Sequence, residues 1–213
     1  MKRIAKLFIS LGFVIAFIVW TVLVKNVDVA SIGANQTNVG FAGLNGWIKS
    51  IISENYALYL ITDWLGIVPI LFAFAFMVLG LAQWLKRKSI VKVDRSLLAL
   101  GVFYVVVISV YVLFETILIN YRPILIEGRL ESSYPSSTTL LVLCIMPTAI
   151  VQLRERIRNK ILRDGLTVII AIFTIFMVVG RLLSGVHWIS DIVGGVLLSI
   201  GLDCAYLYFC KSN

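Results

Sequence analysis

Six stretches of this chain are apolar and long enough to cross a bilayer as helices, or nearly so, and that fact leaves little else about the fold free. A hydrocarbon core of about 30 Å takes about 20 residues of helix. Backbone N–H and C=O groups cannot go unpaired in lipid, so each run must close its hydrogen bonds within itself. The runs cover residues 7–24, 64–85, 97–119, 139–153, 167–183 and 192–210. They predict an all-α polytopic membrane protein, a six-transmembrane-helix bundle that forms a single domain over residues 1–213. Composition agrees: 60% of the 213 residues are hydrophobic and 14% charged, where soluble domains run near ~50% and ~25%. The first run follows Lys2, Arg3 and Lys6, as a signal peptide would. No small-residue cleavage site follows it cleanly, and it reads as a retained anchor helix.

The 19 basic and 11 acidic residues give a net charge of +8, a balance that alone would suit nucleic acid. Placement argues otherwise. With the N-terminus inside, Lys2, Arg3, Lys6, Lys86, Arg87, Lys88, Lys92, Arg95, Arg154, Arg156, Arg158, Lys160, Arg163 and Lys211 fall on the inner side. Lys25, Lys49, Arg122, Arg129 and Arg181 fall on the outer side. This is the positive-inside asymmetry. It explains the charge through topology and anionic headgroups, and predicts two cytoplasmic termini and no nucleic-acid partner. Cys144, Cys204 and Cys210 lie in apolar runs without paired spacing, so buried free thiols are expected.

Two connecting segments are long. Residues 26–56 hold an amphipathic stretch at 44–52 that reads either as an interfacial helix with Trp47 at headgroup depth or as an ordered loop. Asn35-Gln36-Thr37 matches a glycosylation sequon, a short pattern that nothing else in the chain supports. Residues 120–138 are polar, with Arg122, Arg129 and several serines, where a short turn would suffice. Trp20, Trp47, Trp64, Trp84 and Trp188 read chiefly as interface-belt residues.

Charge near lipid is costly and is paired or used. On the outer side this topology gathers Tyr121-Arg122-Pro123, Tyr134-Pro135-Ser136-Ser137-Thr138, Arg181, and His187 with Asp191. His187 is the single histidine. Asp191 follows it by one helical turn, so the two can share a face. A carboxylate on one ring nitrogen fixes the tautomer and leaves the other nitrogen free to attack. Two guanidiniums can clamp a phosphoryl group and offset its developing charge. Ser136, Ser137 and Thr138 open the fourth helix, where unpaired backbone N–H groups face an anion. No cluster of carboxylates and histidines suits a catalytic metal, so metal-independent chemistry without a cofactor is expected.

The run from Gly180-Arg181 through His187 to Asp191 resembles the third motif, SRx5Hx3D, of the type 2 phosphatidic acid phosphatase (PAP2) superfamily. Tyr121-Arg122-Pro123 is similar to the end of its first motif, Kx6RP, and Pro135-Ser136-Ser137-Thr138 to its second, PSGH. The resemblance covers about 115–195, the family's catalytic half. It implies a phosphohistidine on His187, orientation of that imidazole by Asp191, and phosphate binding by Arg122 and Arg181. The departures are Glu115 at the first motif's lysine, Ser137 and Thr138 at the second motif's glycine and histidine, and Gly180 at the third motif's serine. In the family the second-motif histidine is the general acid, and here Thr138 cannot replace it directly.

A positioned acid is worth roughly 10²–10⁴ in rate when the leaving group is poor. An alkoxide needs that proton. A phosphate, with a second pKa of about 6, does not. The expected function is therefore a membrane lipid phosphatase acting on a lipid diphosphate, polyprenyl diphosphate-like, at the outer face of a bacterial plasma membrane. Its partners are that phosphorylated lipid and the bilayer; the oligomeric state is open. The alternatives are a PAP2-like protein that binds phospholipid or polyprenyl phosphate without turnover, a phosphatidic acid or phosphatidylglycerophosphate phosphatase, and a lipid transporter. Glu115 is expected to pair with an arginine of the site, or else to act as a desolvated acid. Arg129 reads as a solvated loop charge, and Asp63 and Asp203 as structurally paired.

Overall fold

The apolar runs become helices in the structure, a computed structural model that describes residues 2–210. Lys211, counted above among the inner basic residues, lies outside the described residues. The chain runs through α1 (Lys2–Asn26), α2 (Ala42–Ile51), α3 (Tyr56–Leu65), α4 (Ile67–Arg87), α5 (Arg95–Thr116), α6 (Ser137–Arg156), α7 (Lys160–Leu183) and α8 (Ile189–Cys210). Among the described residues no strand forms, only isolated β-bridges. Six spans are long and apolar enough to cross a membrane: α1, α3 with α4, and α5 to α8. The protein is an all-α, multi-pass membrane protein.

Capping explains where the helices begin earlier than their apolar runs. The second span starts at Tyr56 rather than residue 64, because the Asn55 side chain accepts the Leu58 N–H at 2.9 Å and closes an orphan donor of the first turn. Gly66 then separates α3 from α4. The fifth span starts at Lys160 rather than residue 167, where the Asn159 side chain accepts from the Leu162 N–H at 3.1 Å. The amphipathic stretch is helical through Ile51, within α2, and Ile52 is its extended C-cap. Periodicity marks where a helix is buried, whereas the starts of α3 and α7 are marked by their asparagine caps.

α1 lies along α8, with Ser10 Oγ donating to the Gly201 carbonyl at 2.7 Å. α6 is the most enclosed span and packs against α4, α5, α7 and α8. Phe17, Leu100, Phe103, Leu140 and Tyr206 form the core of the bundle. Within it, Gln152 is fully buried and donates Nε2 to the Tyr206 hydroxyl at 2.6 Å and to the Ser96 carbonyl at 3.1 Å. A buried amide costs stability unless it is paired in this way.

The segment between α5 and α6 is a short hairpin rather than an open loop. Tyr121 bridges Ser132 and Ile126 bridges Arg129, around Glu127 and Gly128 at φ 49° and 74°. Two positive φ values in a two-residue turn match the right-handed strand twist. The end of the hairpin is fastened by Tyr134, whose hydroxyl lies 2.7 Å from Thr21 Oγ1. A Cβ at Gly194 would fall 2.8 Å from the Tyr134 ring, so α8 admits the ring only because that residue lacks a side chain.

Two expectations change. Trp47, Trp64 and Trp84 are exposed, as belt residues would be, but Trp188 is buried, and Trp20 donates Nε1 to the Ser190 carbonyl at 3.0 Å. Each buried N–H found a protein acceptor instead of the headgroup layer. Asp203 was expected to be paired, yet its Oδ1 is buried with no hydrogen-bond partner among the described residues. Asp63 does pair, with Arg181 at 3.5 Å.

Candidate active site

The turn between α7 and α8 carries the histidine. Ser184 N–H returns to the Gly180 carbonyl at 2.8 Å to end α7, and Gly185 adopts φ 72°. The turn is held from outside by Lys49, whose Nζ donates to the Gly185 carbonyl at 3.0 Å, and by the Asn55 N–H on the Ser184 carbonyl at 3.1 Å. His187 emerges from it buried, and its Nδ1 lies 3.7 Å from Asp191 Oδ2. That distance is a close approach and not yet a hydrogen bond. Asp191 is itself completely buried. Its Oδ2 accepts the Trp188 N–H at 2.9 Å, so the residue that faces the histidine also closes the first turn of α8. Asn120 and Ser133 of the hairpin face the same carboxylate.

Both arginines reach this place. The hairpin sets Arg122 beside Glu131, and Arg122 Nε stands 3.1 Å from Glu131 Oε2 while its Nη1 is buried without a hydrogen-bond partner among the described residues. Arg181, on the last turn of α7, is 1% exposed. Burial above all, and then the positive charges of Arg122 and Arg181, push His187 well below the ordinary histidine value. The imidazole is therefore neutral at pH 7, with both ring nitrogens buried and free of hydrogen-bond partners among the described residues. A neutral imidazole beside a carboxylate and two guanidiniums can hold an anion and attack it.

The start of α6 contributes less uniformly than its sequence suggests. Ser136 Oγ is occupied as the helix cap, accepting from the Thr139 N–H at 3.4 Å and the Thr139 hydroxyl at 3.0 Å. Its own N–H donates to the Asp191 carbonyl at 3.1 Å, which ties α6 to α8. Ser137 shares a cleft with His187 and Glu115, walled by Tyr111, Phe114 and Leu140. Thr138 is half-buried and lies outside that wall. A second cleft, under α2, brings Asn45 and Lys49 to the other side of His187.

Glu115 does not pair with an arginine of the site. The Tyr111 hydroxyl, one turn earlier on α5, is its neighbour, and the guanidiniums take Glu131 and Asp63 instead. Arg122 and Glu131 face each other across the hairpin, which leaves no role there for a carboxylate on α5. Tyr59, Thr62, Asp63, Asn120, Glu131, Ser133 and Trp188 were not read as site residues. A hairpin signal at Glu127-Gly128 would have placed Glu131; nothing in the sequence marks the others. Among the described residues no group of three or more His, Cys, Asp or Glu gathers that could hold a metal ion.

Fold and site together define a polytopic helical membrane protein with a buried His–Asp pair near two guanidiniums. A family model of the PAP2 superfamily matches residues 115–213, the part of the chain that carries Arg122, Arg181, His187 and Asp191. Among solved structures it is similar to a transmembrane PAP2 type phosphatidylglycerolphosphate phosphatase from Bacillus subtilis. The TM-score is 0.56 at 15% identity, over 93% of each chain. That likeness is one of fold, and it extends through α1 to α4, outside the matched region. Comparison with curated proteins gives no match.

Proposed function

We propose that this single-domain protein removes the terminal phosphate of a lipid diphosphate of the polyprenyl diphosphate kind, at the outer face of a bacterial plasma membrane. One observation carries the reading: His187 and Asp191 are buried together, 3.7 Å apart, beside two arginines with unpartnered nitrogens. With Nδ1 turned to Asp191, Nε2 keeps the lone pair. It bonds to the terminal phosphorus while the bridging P–O bond breaks and its electron pair leaves on the lipid monophosphate. Asp191 offsets the positive charge on the phosphorylated ring. Arg122 and Arg181 oppose the charge on the phosphoryl oxygens. A water oxygen then attacks the phosphorus, the P–N electrons return to Nε2, and the water's protons pass to phosphate and solvent.

The excess of basic residues on one side supports an outward-facing site and cytoplasmic termini. The choice of a diphosphate rests on Thr138, which offers no proton near neutral pH, and on a leaving lipid phosphate that needs none, its second pKa being about 6. A second reading has one observation in its favour: Glu115 lines the cleft with His187, where a carboxyl group would protonate a leaving alkoxide. That reading is a monoester phosphatase acting on phosphatidic acid or phosphatidylglycerophosphate. Phosphate release from farnesyl diphosphate and farnesyl monophosphate by purified protein separates the two. A diphosphate preference of about 100-fold or more is expected. Equal rates, with monoester turnover lost in Glu115→Gln, transfer the function to the second reading. Binding of both lipids without release makes the chain a non-catalytic binder.

A further inference from the structure

One edge of Arg181 is furnished entirely by α3. Arg181 Nη1 lies 3.4 Å from Thr62 Oγ1 and 3.5 Å from Asp63 Oδ1, and its Cζ stands 5.1 Å from the centre of the Tyr59 ring. Positions 59, 62 and 63 share one face of a helix. On the other edge, Nε is buried with no partner among the described residues. The approach of α3 depends on residue 180. A Cβ there would fall 2.8 Å from Thr62 Cγ2, so a serine at this position would displace the threonine methyl and with it the approach of α3. Gly180 is where the third motif has its serine. A threonine from another helix fills that space, with its methyl beside the backbone of residue 180 and its hydroxyl on the guanidinium.

We infer that Tyr59, Thr62 and Asp63 are positioning residues for Arg181, and that Thr62 and Gly180 are a matched pair. The inference rests on the phosphatase reading above. The Thr62 hydroxyl lies 2.9 Å from the Leu58 carbonyl and 3.0 Å from the Tyr59 carbonyl. Its proton is directed by its own helix, and a lone pair is left for Arg181. Asp63 supplies charge from a half-exposed side chain, and the Tyr59 ring supports the guanidinium face. Held along Nη1 and across its face, the fork cannot swing, and Nε stays directed at the phosphoryl oxygens. An arginine placed this way acts bidentately instead of as a mobile charge.

The test uses the full-length protein in detergent. It follows inorganic phosphate affinity by tryptophan fluorescence, kcat and KM with farnesyl diphosphate, and the melting temperature. Thr62→Ala is expected to weaken phosphate binding and to lower kcat/KM by about tenfold, the loss typical of one hydrogen bond to a charged group. Thr62→Ser, which keeps the hydroxyl, recovers most of that loss. Gly180→Ser alone is expected to lose activity. Thr62→Ser/Gly180→Ser regains it, because the atom in the way is the threonine methyl. A purely structural role for α3 would lower the melting temperature and leave the phosphate affinity of folded protein at its wild-type value. Wild-type affinity and kcat/KM in Thr62→Ala would overturn the inference, as would a double variant no better than Gly180→Ser. Wild-type protein that neither binds phosphate nor releases it from lipid brings down the phosphatase reading and this inference together. Active wild-type protein with an indifferent Thr62→Ala brings down this inference alone.

Discussion

Replacing Trp188 by phenylalanine should loosen the hairpin that carries Arg122 while leaving the helical bundle in place. The indole is 3% exposed, and its Nε1 donates to the Tyr121 carbonyl at 2.7 Å, next to Arg122 in the chain. Phenylalanine has no such donor. The carbonyl is left without its partner, at a cost of about 1–3 kcal/mol. The bond joins the hairpin to the start of α8, so the cost falls on docking of the hairpin and raises its undocked population by about 5- to 150-fold. Arg129 is exposed near the hairpin tip, and trypsin cleavage after it reports that population when opening is fast relative to cutting. Cleavage should accelerate by the same factor, and bound phosphate should slow it again. Benzothienylalanine at 188 keeps the ring's size and lacks only the N–H. Acceleration by phenylalanine but not by this isostere would assign the effect to lost volume and refute the argument. A rate within twofold of wild type for both would refute it as well.

Other outcomes follow from the same geometry. A reporter fused after Asn213 should be cytoplasmic, and Arg129→Cys should react with an impermeant label from outside; an external C-terminus would overturn the placement of the site. His187→Ala should abolish turnover in correctly folded protein, and Asp191→Asn should reduce it severely. A phosphorylated wild-type intermediate should be trappable on acid-labile nitrogen, and full activity of His187→Ala would end that mechanism. Because burial, Arg122 and Arg181 lower the His187 value, nuclear magnetic resonance should find this single imidazole neutral at pH 6. Its contribution to stability is present above the unfolded value of about 6.5 and declines as pH falls below it, because the unfolded chain then takes up the proton. A folded midpoint at or above 6.5 contradicts the burial argument. Thr138→His, with Ser137→Gly beside it for room, should raise monoester hydrolysis more than diphosphate hydrolysis, by up to roughly 10²–10⁴; equal gains on both substrates would show that no acid was missing.

Hydropathy alone disclosed the six spans, since lipid admits few alternatives to a helix, and the one-turn spacing of His187 and Asp191 disclosed their contact. What stayed hidden depended on partners distant in sequence. Thr62 and Asp63 look like an interruption of an apolar run, and only Arg181, 119 and 118 positions away, explains them. Trp188 has the composition of a headgroup anchor, and its burial is set by a carbonyl 67 positions earlier. Glu115 sits near the end of the third span, where an arginine of the site looks like its natural partner, but the hairpin gives Arg122 a nearer carboxylate in Glu131. The start of α3 was missed for a different reason: a single asparagine cap carries no periodicity.

The pairing of α1 with α8 has a consequence for how such a molecule is made. Ser10 and Gly201 are 191 positions apart, so α1 enters the bilayer long before its partner has been synthesised. Asp191 and the first turn of α8 arrive with that partner. Until then a nascent chain holding Arg122 and Arg181 has no finished site, and Glu131 and Asp63 are the carboxylates at hand to serve as counter-ions. Both are half-exposed at the rim in the finished protein, where they need no α8 to hold them. A chain stalled after α7 thus holds both guanidiniums beside carboxylates of their own, and the site is complete only when α8 packs against α1.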